Sequence, residues 1–136
     1  MKKVKRQITG LSEGGCLFLP GGIGGTHPLL FIIEKENSDS YRFVVINTDP
    51  EFGLECHLSS AEYSPKIKYQ TTIIMKDIPH EKMTDDAFWG MVFKLSLLPP
   101  DKYNKPVVLY DILLPYLCSK PLEQILFESE IDEDGL

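Results

Sequence analysis

His27, Asn47 and Asp49 combine an imidazole, an amide and a carboxylate at a spacing that suits acid–base catalysis. They stand at the ends of two apolar runs, HPLLFII and YRFVVIN, which flank the polar stretch ENSDS. An imidazole that is oriented by an amide or a carboxylate can act as the general base toward a cysteine thiol. The pattern therefore indicates a possible thiol hydrolase, with His27 as the base and Asn47 or Asp49 as its orienting partner.

The register of the predicted hairpin decides which partner faces His27. A turn centred on Ser38 pairs His27 with Asp49, whereas a turn centred on Asn37 pairs His27 with Asn47. Both candidates share the face of His27 in either register. The alternative interpretation is an idle histidine beside an ordinary Asn-Thr-Asp-Pro turn, because Asn and Asp side chains readily bond their own backbone. The sequence leaves both interpretations open.

None of the three cysteines matches the nucleophile that such a site requires. Cys16 begins an apolar run typical of a strand, and Cys56 has its neighbour His57 on the opposite strand face. Cys118 falls late in a predicted helix, where the helix dipole raises a thiol pKa. If the hairpin is catalytic, we expect its cysteine to lie outside this chain.

The cysteines and histidines also lack the spacing of a metal site. Cys16, Cys56 and Cys118 form no CxxC pair, which argues against zinc ribbons and thioredoxin-like motifs. We therefore expect no metal and no other cofactor. An odd number of widely spaced cysteines further suggests a reduced, cytoplasmic chain.

Hydrophobic periodicity changes along the chain and predicts the fold class. From Gly14 to Met75, β-branched and aromatic runs separated by turn residues indicate strands, and the alternation in KIKYQTTIIM predicts a strand from Lys66 to Met75. From Thr84, a predicted N-cap, the period becomes helical, with a stripe of Phe88, Val92 and Leu95 that could also include Met91. Two further helices follow, and Pro115 should kink or end the first of them. The expected fold is α+β, an N-terminal antiparallel β-sheet of hairpins followed by two or three C-terminal helices.

Composition divides the chain into three parts. Residues 1–10 form a basic arm, residues 11–128 a single α+β domain that we expect to be a fragment of a larger protein, and residues 129–136 an acidic tail. The apolar runs are too short for a membrane span, so we expect no membrane partner. Nucleic acid is not an expected partner, because no aromatic residues alternate with the N-terminal lysines and the net charge is −6.

Several segments in order resemble a region of very large eukaryotic proteins described as ubiquitinyl hydrolases. They are GGIGGTHPLLFII, YRFVVINTDPEFGLECH, PKIKYQTTIIMKDIP, AFWGMVFKLSLLP and VLYDILLPYL. The hairpin is also similar to the histidine box of papain-like, ubiquitin-specific cysteine proteases. The resemblance implies cleavage of ubiquitin from its conjugates and a partner that is ubiquitin or a ubiquitin-conjugated protein. Under that hypothesis, the glycine-rich PGGIGG, whose glycines lack side chains, could flank a narrow channel that admits only Gly-Gly. The resemblance also implies His27 as general base, with Asn47 or Asp49 orienting it.

The chain departs from the protease pattern at two points. Thr26 and Pro28 replace the glycine and the aromatic residue that usually flank the histidine, and no Asn-x-Cys box is present. The resemblance therefore implies part of a deubiquitinase (a thiol protease) that is inactive in isolation. The alternative is a non-catalytic protein- or peptide-binding module, built on a sheet with an exposed edge and helices on one face.

Overall fold

The computed structural model describes residues 2–23, 27–47, 72–97 and 108–134, and in these ranges the chain is α+β, as predicted. Helix α1 comes first, a four-stranded sheet follows, and helices complete the chain. The elements are α1 (Lys2–Thr9), β1 (Cys16–Ile23), β2 (His27–Lys35), β3 (Ser40–Asn47), β4 (Thr72–Pro79), α2 (His80–Met83), α3 (Asp86–Leu97), a π-helical segment (Val108–Leu113), α4 (Leu114–Cys118) and α5 (Leu122–Asp134).

The strands form an antiparallel sheet in the order β1-β2-β3-β4, so each strand pairs with the next along the chain. Asn37 closes the β2–β3 turn, because its Oδ1 accepts hydrogen bonds from the backbone amides of Asp39 and Ser40 at 3.0 and 3.1 Å. This is the turn that ENSDS predicts, since a short polar side chain here replaces a backbone acceptor. The turn fixes a register in which Leu29 lies opposite Asn47.

One face of the sheet, called the inner face from here on, carries the core. On β3 the buried residues alternate with half-buried ones and are Tyr41, Phe43, Val45 and Asn47. The ring of Phe43 stacks on Phe31 with centroids 5.6 Å apart, and Trp89 of α3 meets it edge-on at 6.0 Å. A fully buried Phe side chain stabilises the fold by roughly 1.5–3 kcal/mol. This aromatic cluster therefore fixes α3 against the inner face.

Strand β4 continues beyond Met75, where the sequence pattern placed its end. Residues 66–71 of the predicted strand lie outside the described residues. The pairing with β3 shifts between Phe43–Met75 and Tyr41–Ile78, and Asp77 adopts a positive φ of 57° in the resulting bulge. A bulge adds one residue to one strand. It thereby puts both Met75 and Ile78 on the inner face, where both are buried.

The stripe predicted for α3 is confirmed at Phe88, Val92 and Leu95, which are each 2% exposed. Met91, 40% exposed, does not belong to it. The predicted N-cap of α3 is wrong by one residue. Asp85, not Thr84, accepts hydrogen bonds from the first free amides of α3. The Thr84 hydroxyl instead donates to the carbonyl oxygen of His80 at 2.7 Å and completes the short helix α2.

Both ends of the described chain are helical where the composition suggested solvated segments. Helix α1 lies within the basic arm, yet Val4 and Ile8, four residues apart, are 8% and 0% exposed and join the core. Helix α5 runs to Asp134, and its residue Ser129 is fully buried. In α1, the charged residues concealed the two apolar positions that anchor the helix.

The predicted helix around Pro115 begins as a π-helical segment before α4. Pro115 lacks an amide hydrogen and cannot complete the regular α-helical ladder, which agrees with the predicted kink. The helix then ends at Ser119, in the left-handed conformation with φ of 55°.

Side chains of two helices cover the two edges of the sheet. The backbone amide of Gly22 on β1 donates to Ser96 Oγ at 3.2 Å, and the Ser96 hydroxyl donates to the carbonyl oxygen of Gly22 at 3.3 Å. Pro20, two residues earlier, presents a nitrogen without hydrogen to the same edge. On β4, the amide of Ile74 donates to Ser129 Oγ at 2.7 Å. Both edges are therefore poor templates for an added strand.

Candidate functional site

The β2–β3 hairpin exists, but its register pairs Asn47 with Leu29 rather than with His27. The alternative register, centred on Asn37, is therefore wrong. Asn47 is 5% exposed on the inner face. His27 begins β2, but its side chain lies outside the described part of the structure, as does all of Asp49. The catalytic roles of the three residues stay predictions.

Neither described cysteine resembles an activated nucleophile. Cys16 is exposed on β1, with its sulfur 4.0 Å from a carbonyl oxygen of Gly14 and 4.0 Å from Glu34 Oε2. Burial raises the pKa of the Cys118 thiol to about 11. The imidazole of His80 pairs through Nδ1 with the hydroxyl of Tyr41 at 3.0 Å, not with a cysteine. Cys56 lies outside the described residues.

Cys118, which is half-buried on α4, is expected to react with thiol reagents much more slowly than exposed Cys16 in the folded protein. At pH 8 a thiol of pKa 11 is ionised to only about one part in a thousand, and the thiolate is the reactive form. In a Cys56→Ser background, a chromogenic disulfide should modify exposed Cys16 rapidly and Cys118 much more slowly, and denaturant should remove the difference. Mass spectrometry of the native sample would identify the labelled residue. Equal labelling rates for Cys16 and Cys118 would contradict the burial argument.

The second face of the sheet, called the outer face, is also apolar. One row of paired residues crosses all four strands, from Phe18 to Ile32 to Val44 to Ile74. A neighbouring row runs across Pro20, Leu30 and Ile46. We define the outer face as Phe18, Pro20, Leu30, Ile32, Val44 and Ile46.

Exposure on the outer face increases toward β1. Ile74, on the strand that α5 packs against, is 7% exposed, Ile32 and Val44 are half-buried, and Phe18 is 60% exposed. A single exposed apolar side chain is normal on a protein surface, whereas a contiguous apolar patch marks an interaction site. The signal was present in the sequence, because LLFII and FVVI are continuous apolar runs and predict strands with two apolar faces.

A charged pair borders the outer face at one end. Glu34 on β2 lies opposite Arg42 on β3, and Cys16 lies opposite Glu34. The Nε atom of Arg42 is buried and has no hydrogen-bond partner among the described groups. Because Arg42 is half-buried, its guanidinium places a positive charge beside the apolar patch, but the buried Nε itself is out of reach of a binding partner.

A second polar cluster joins the start of α3 to α4. Asp85 Oδ1 accepts from the amides of Ala87 at 2.8 Å and Phe88 at 3.1 Å, while the Tyr116 hydroxyl donates to its other oxygen. Lys82 Nζ donates to the carbonyl oxygen of Tyr116 at 2.5 Å and lies 4.4 Å from its ring centroid. Because every contact joins helix ends, the role of the cluster is structural.

Asp85→Ala is expected to lower the free energy of unfolding by about 0.5–2 kcal/mol at pH 7, because α3 loses its N-cap. The hydrogen bond from Tyr116, followed by that from the Phe88 amide, lowers the pKa of Asp85. A lowered pKa in the folded state gives stability that is present above the unfolded-state pKa and lost as the pH falls through the folded-state pKa. The difference between wild type and variant should therefore shrink below about pH 4.

Asp85→Asn is the matched control for this cap, since asparagine retains the acceptor oxygen but not the charge. It should keep most of the stability at pH 7 and lose the acid dependence. Urea titrations at pH 7 and at pH 3, followed by circular dichroism, measure both effects. A loss from Asp85→Asn equal to that from Asp85→Ala would rule out the capping role.

The described residues contain no group of three or more His, Cys, Asp or Glu side chains that could hold a metal ion. Among the helices of the described ranges, none has the length and apolar character required to cross a membrane. The comparisons with known proteins add no assignment. No protein-family model, curated protein or solved structure matches the chain.

Proposed function

We propose that this domain binds another protein through its outer face and acts as a non-catalytic binding module. The main support for this proposal is the apolar row of Phe18, Ile32 and Val44. The row ends at Phe18, whose side chain is 60% exposed. Aromatic residues in such positions are frequent anchors of protein interfaces. Arg42, which is half-buried at the border of the row, places a positive charge beside this surface.

Because side chains obstruct the edges of the sheet, a partner is expected to bind the outer face and not to add a strand to an edge. Strand addition needs a run of free backbone donors and acceptors along one edge. Ser96 occupies the edge of β1 at Gly22, Pro20 removes a donor there, and Ser129 occupies the edge of β4 at Ile74. An exposed edge, which the sequence-based alternative required, is thus obstructed at Gly22 on β1 and at Ile74 on β4.

Ubiquitin is the partner to test first, because the sequence resembles ubiquitinyl hydrolases. We expect unlabelled ubiquitin to shift the NMR signals of Phe18, Ile32 and Val44 in the ¹⁵N-labelled chain. Phe18→Ser should weaken binding about tenfold or more, equivalent to the loss of about 1.4 kcal/mol at a hot spot. The matched control is Phe127→Ser, which alters a Phe that is 51% exposed on α5 and outside the outer face.

Two results would count against these proposals. Absence of shifts at about 1 mM ubiquitin, a concentration that detects contacts worth only about 4 kcal/mol, would remove ubiquitin as the partner. Equal weakening by Phe18→Ser and Phe127→Ser would remove the outer face as the binding surface. Shifts confined to residues remote from β1–β3 would have the same consequence.

The second candidate is the resemblance-based one, a part of a cysteine-type ubiquitinyl hydrolase whose nucleophile lies outside this chain. It is supported by the existence of the β2–β3 hairpin with His27 at the start of β2. A ubiquitin probe with a thiol-reactive C-terminus should then label a longer natural chain, but not residues 1–136 alone. His27→Ala should abolish that labelling. Failure of the probe to label either chain would oppose catalysis without affecting the binding proposal.

A further inference from the structure

Helix α1 borders a cavity whose described lining contains no residue of the outer face. The cavity has a volume of about 450 Å³, and the described residues that line it are Lys5, Arg6, Thr9 and Gly10. We call it the α1 cavity. Sites for small molecules typically have volumes of about 300–1,000 Å³. The α1 cavity is therefore large enough for a small organic molecule.

The place of the cavity on α1 follows from the helical period. Val4 and Ile8, four residues apart, are buried and fix one side of the helix in the core. The four lining residues occupy positions i, i+1, i+4 and i+5, which lie together on the side away from these anchors. All four are exposed. A ligand can therefore bind this side of α1 without a rearrangement of the core.

The lining combines apolar surface with positive charge. The surface of the cavity is mainly apolar, because the long side chains of lysine and arginine present methylene groups while their charged ends extend toward water. Lys5 and Arg6 are both cationic, and no acidic residue occurs before Glu13. In a chain with a net charge of −6, such a local excess of positive charge attracts anions to this end of the molecule.

The cationic side chains of the lining are free to bind a ligand. Within the described ranges, neither Lys5 nor Arg6 forms an ion pair or a side-chain hydrogen bond. The carbonyl oxygen of Arg6 accepts the amide of Gly10 at 2.9 Å, and that of Ile8 accepts the amide of Leu11 at 3.1 Å. These carbonyl oxygens at the end of α1 are therefore paired, and an anion that binds the side chains breaks no existing contact.

We propose that the α1 cavity binds a single-chain amphipathic anion, such as a medium-chain carboxylate. The aliphatic chain occupies the apolar cavity, and the head group binds Lys5 and Arg6, whose guanidinium matches the two oxygens of a carboxylate. Exposed charges attract each other only weakly in water, so a small inorganic anion would gain little here. Burial of the aliphatic chain supplies most of the affinity, and the cations select the sign of the head group.

The test is a titration of the intact ¹⁵N-labelled chain with octanoate and decanoate, below the concentrations at which they form micelles. The amide signals of the lining residues should shift. Each buried methylene should tighten binding about fourfold, so decanoate should bind about 15-fold more tightly than octanoate. Acetate, which has the head group alone, should cause no shift. Decylammonium, which has a chain of similar length and the opposite charge, should bind at least tenfold more weakly than decanoate.

Two pairs of variants separate the charge from the volume of the cavity. Arg6→Gln should weaken decanoate binding about fivefold, whereas Lys3→Gln, which removes the same charge outside the lining, should leave it unchanged. Thr9→Trp should fill the cavity and abolish binding, whereas Gln7→Trp changes an exposed residue of α1 outside the lining and should have no effect. All four positions are exposed, and circular dichroism verifies that each variant is folded.

Three results would overturn the proposal. Absence of shifts at about 1 mM decanoate shows that the cavity does not take such a ligand. Equal binding of decanoate and decylammonium shows that the cations do not select the head group. Equal effects of Thr9→Trp and Gln7→Trp show that the ligand lies elsewhere on the protein. Because no outer-face residue is involved, each outcome is independent of the ubiquitin titration.

Discussion

Trp89→Ala is expected to lower the free energy of unfolding by about 3–5 kcal/mol, as large-to-small changes of buried aromatic residues do. Trp89 is 2% exposed, and its ring makes edge-on contacts with Phe43 and Phe88 at centroid distances of 6.0 and 5.0 Å. Its indole Nε1 donates to the carbonyl oxygen of Met83 at 2.7 Å. The variant thus loses packing between α3 and the inner face and also leaves a buried acceptor without its donor.

Two further variants separate these contributions. Trp89→Phe keeps most of the aromatic packing but not the donor, so it should cost about 1–3 kcal/mol through the unpaired carbonyl oxygen of Met83. Met91→Ala changes a residue of the same helix that is 40% exposed, and should stay within about 0.5 kcal/mol of wild type. Urea unfolding followed by far-ultraviolet circular dichroism is suitable, because the signal does not depend on the single tryptophan. A small effect of Trp89→Ala would contradict the central place of this cluster.

The sequence predicted the elements whose periodicity is local and strong. The alternation around Ile73 and Met75 and the stripe of Phe88, Val92 and Leu95 both correspond to the core observed. These patterns are predictive because the strand and helix periods differ, and a burial pattern fits only one of them. The polar turn at ENSDS was equally predictable, because the hydrogen bonds that form it lie within the four residues from Asn37 to Ser40.

Contacts between distant parts of the chain could not be predicted in this way. Ser96 and Ser129 are ordinary helix residues in the sequence, and their roles depend on which strand edge each helix meets. The bulge at Asp77 shifts the pairing by one residue without a Gly to signal it. The two apolar anchors of α1 were concealed among lysines. Such features follow from tertiary packing, which periodicity within one segment does not contain.

The candidate site shows the same division. Residue types and the predicted hairpin register suggested that His27, Asn47 and Asp49 lie close together. The orientation of the His27 ring depends on tertiary packing, which these local patterns do not determine. The outer face was more accessible, because continuous apolar runs on neighbouring antiparallel strands imply that both faces of the sheet are apolar. The runs LLFII and FVVI therefore contained the signal for the outer face, which depends on strand patterning and not on the chemistry of a single histidine.

Gly21→Ala is expected to destabilise the domain by about 1–3 kcal/mol or more, the usual cost of overfilling a packed core. A Cβ at Gly21 would overlap Cε2 of Phe31 and would lie 2.9 Å from its Cδ2 atom. The ring of Phe31 cannot turn away freely, because it is 2% exposed and stacked on Phe43. The glycine is thus required by the aromatic cluster of the inner face, across the β1–β2 pairing.

Gly90→Ala is the matched control, since a Cβ at this position of α3 meets no atom within 4 Å. It should stabilise the domain by about 0.5–1 kcal/mol through the better helix propensity of alanine. Urea midpoints that move in opposite directions for the two Gly→Ala changes would support this assignment. If Gly21→Ala folded as stably as wild type, the Phe31 contact would not explain the glycine. A role of PGGIGG in lining a narrow channel would then be the remaining explanation. The expected loss of stability in Gly21→Ala would instead explain the glycine by core packing alone, without a substrate.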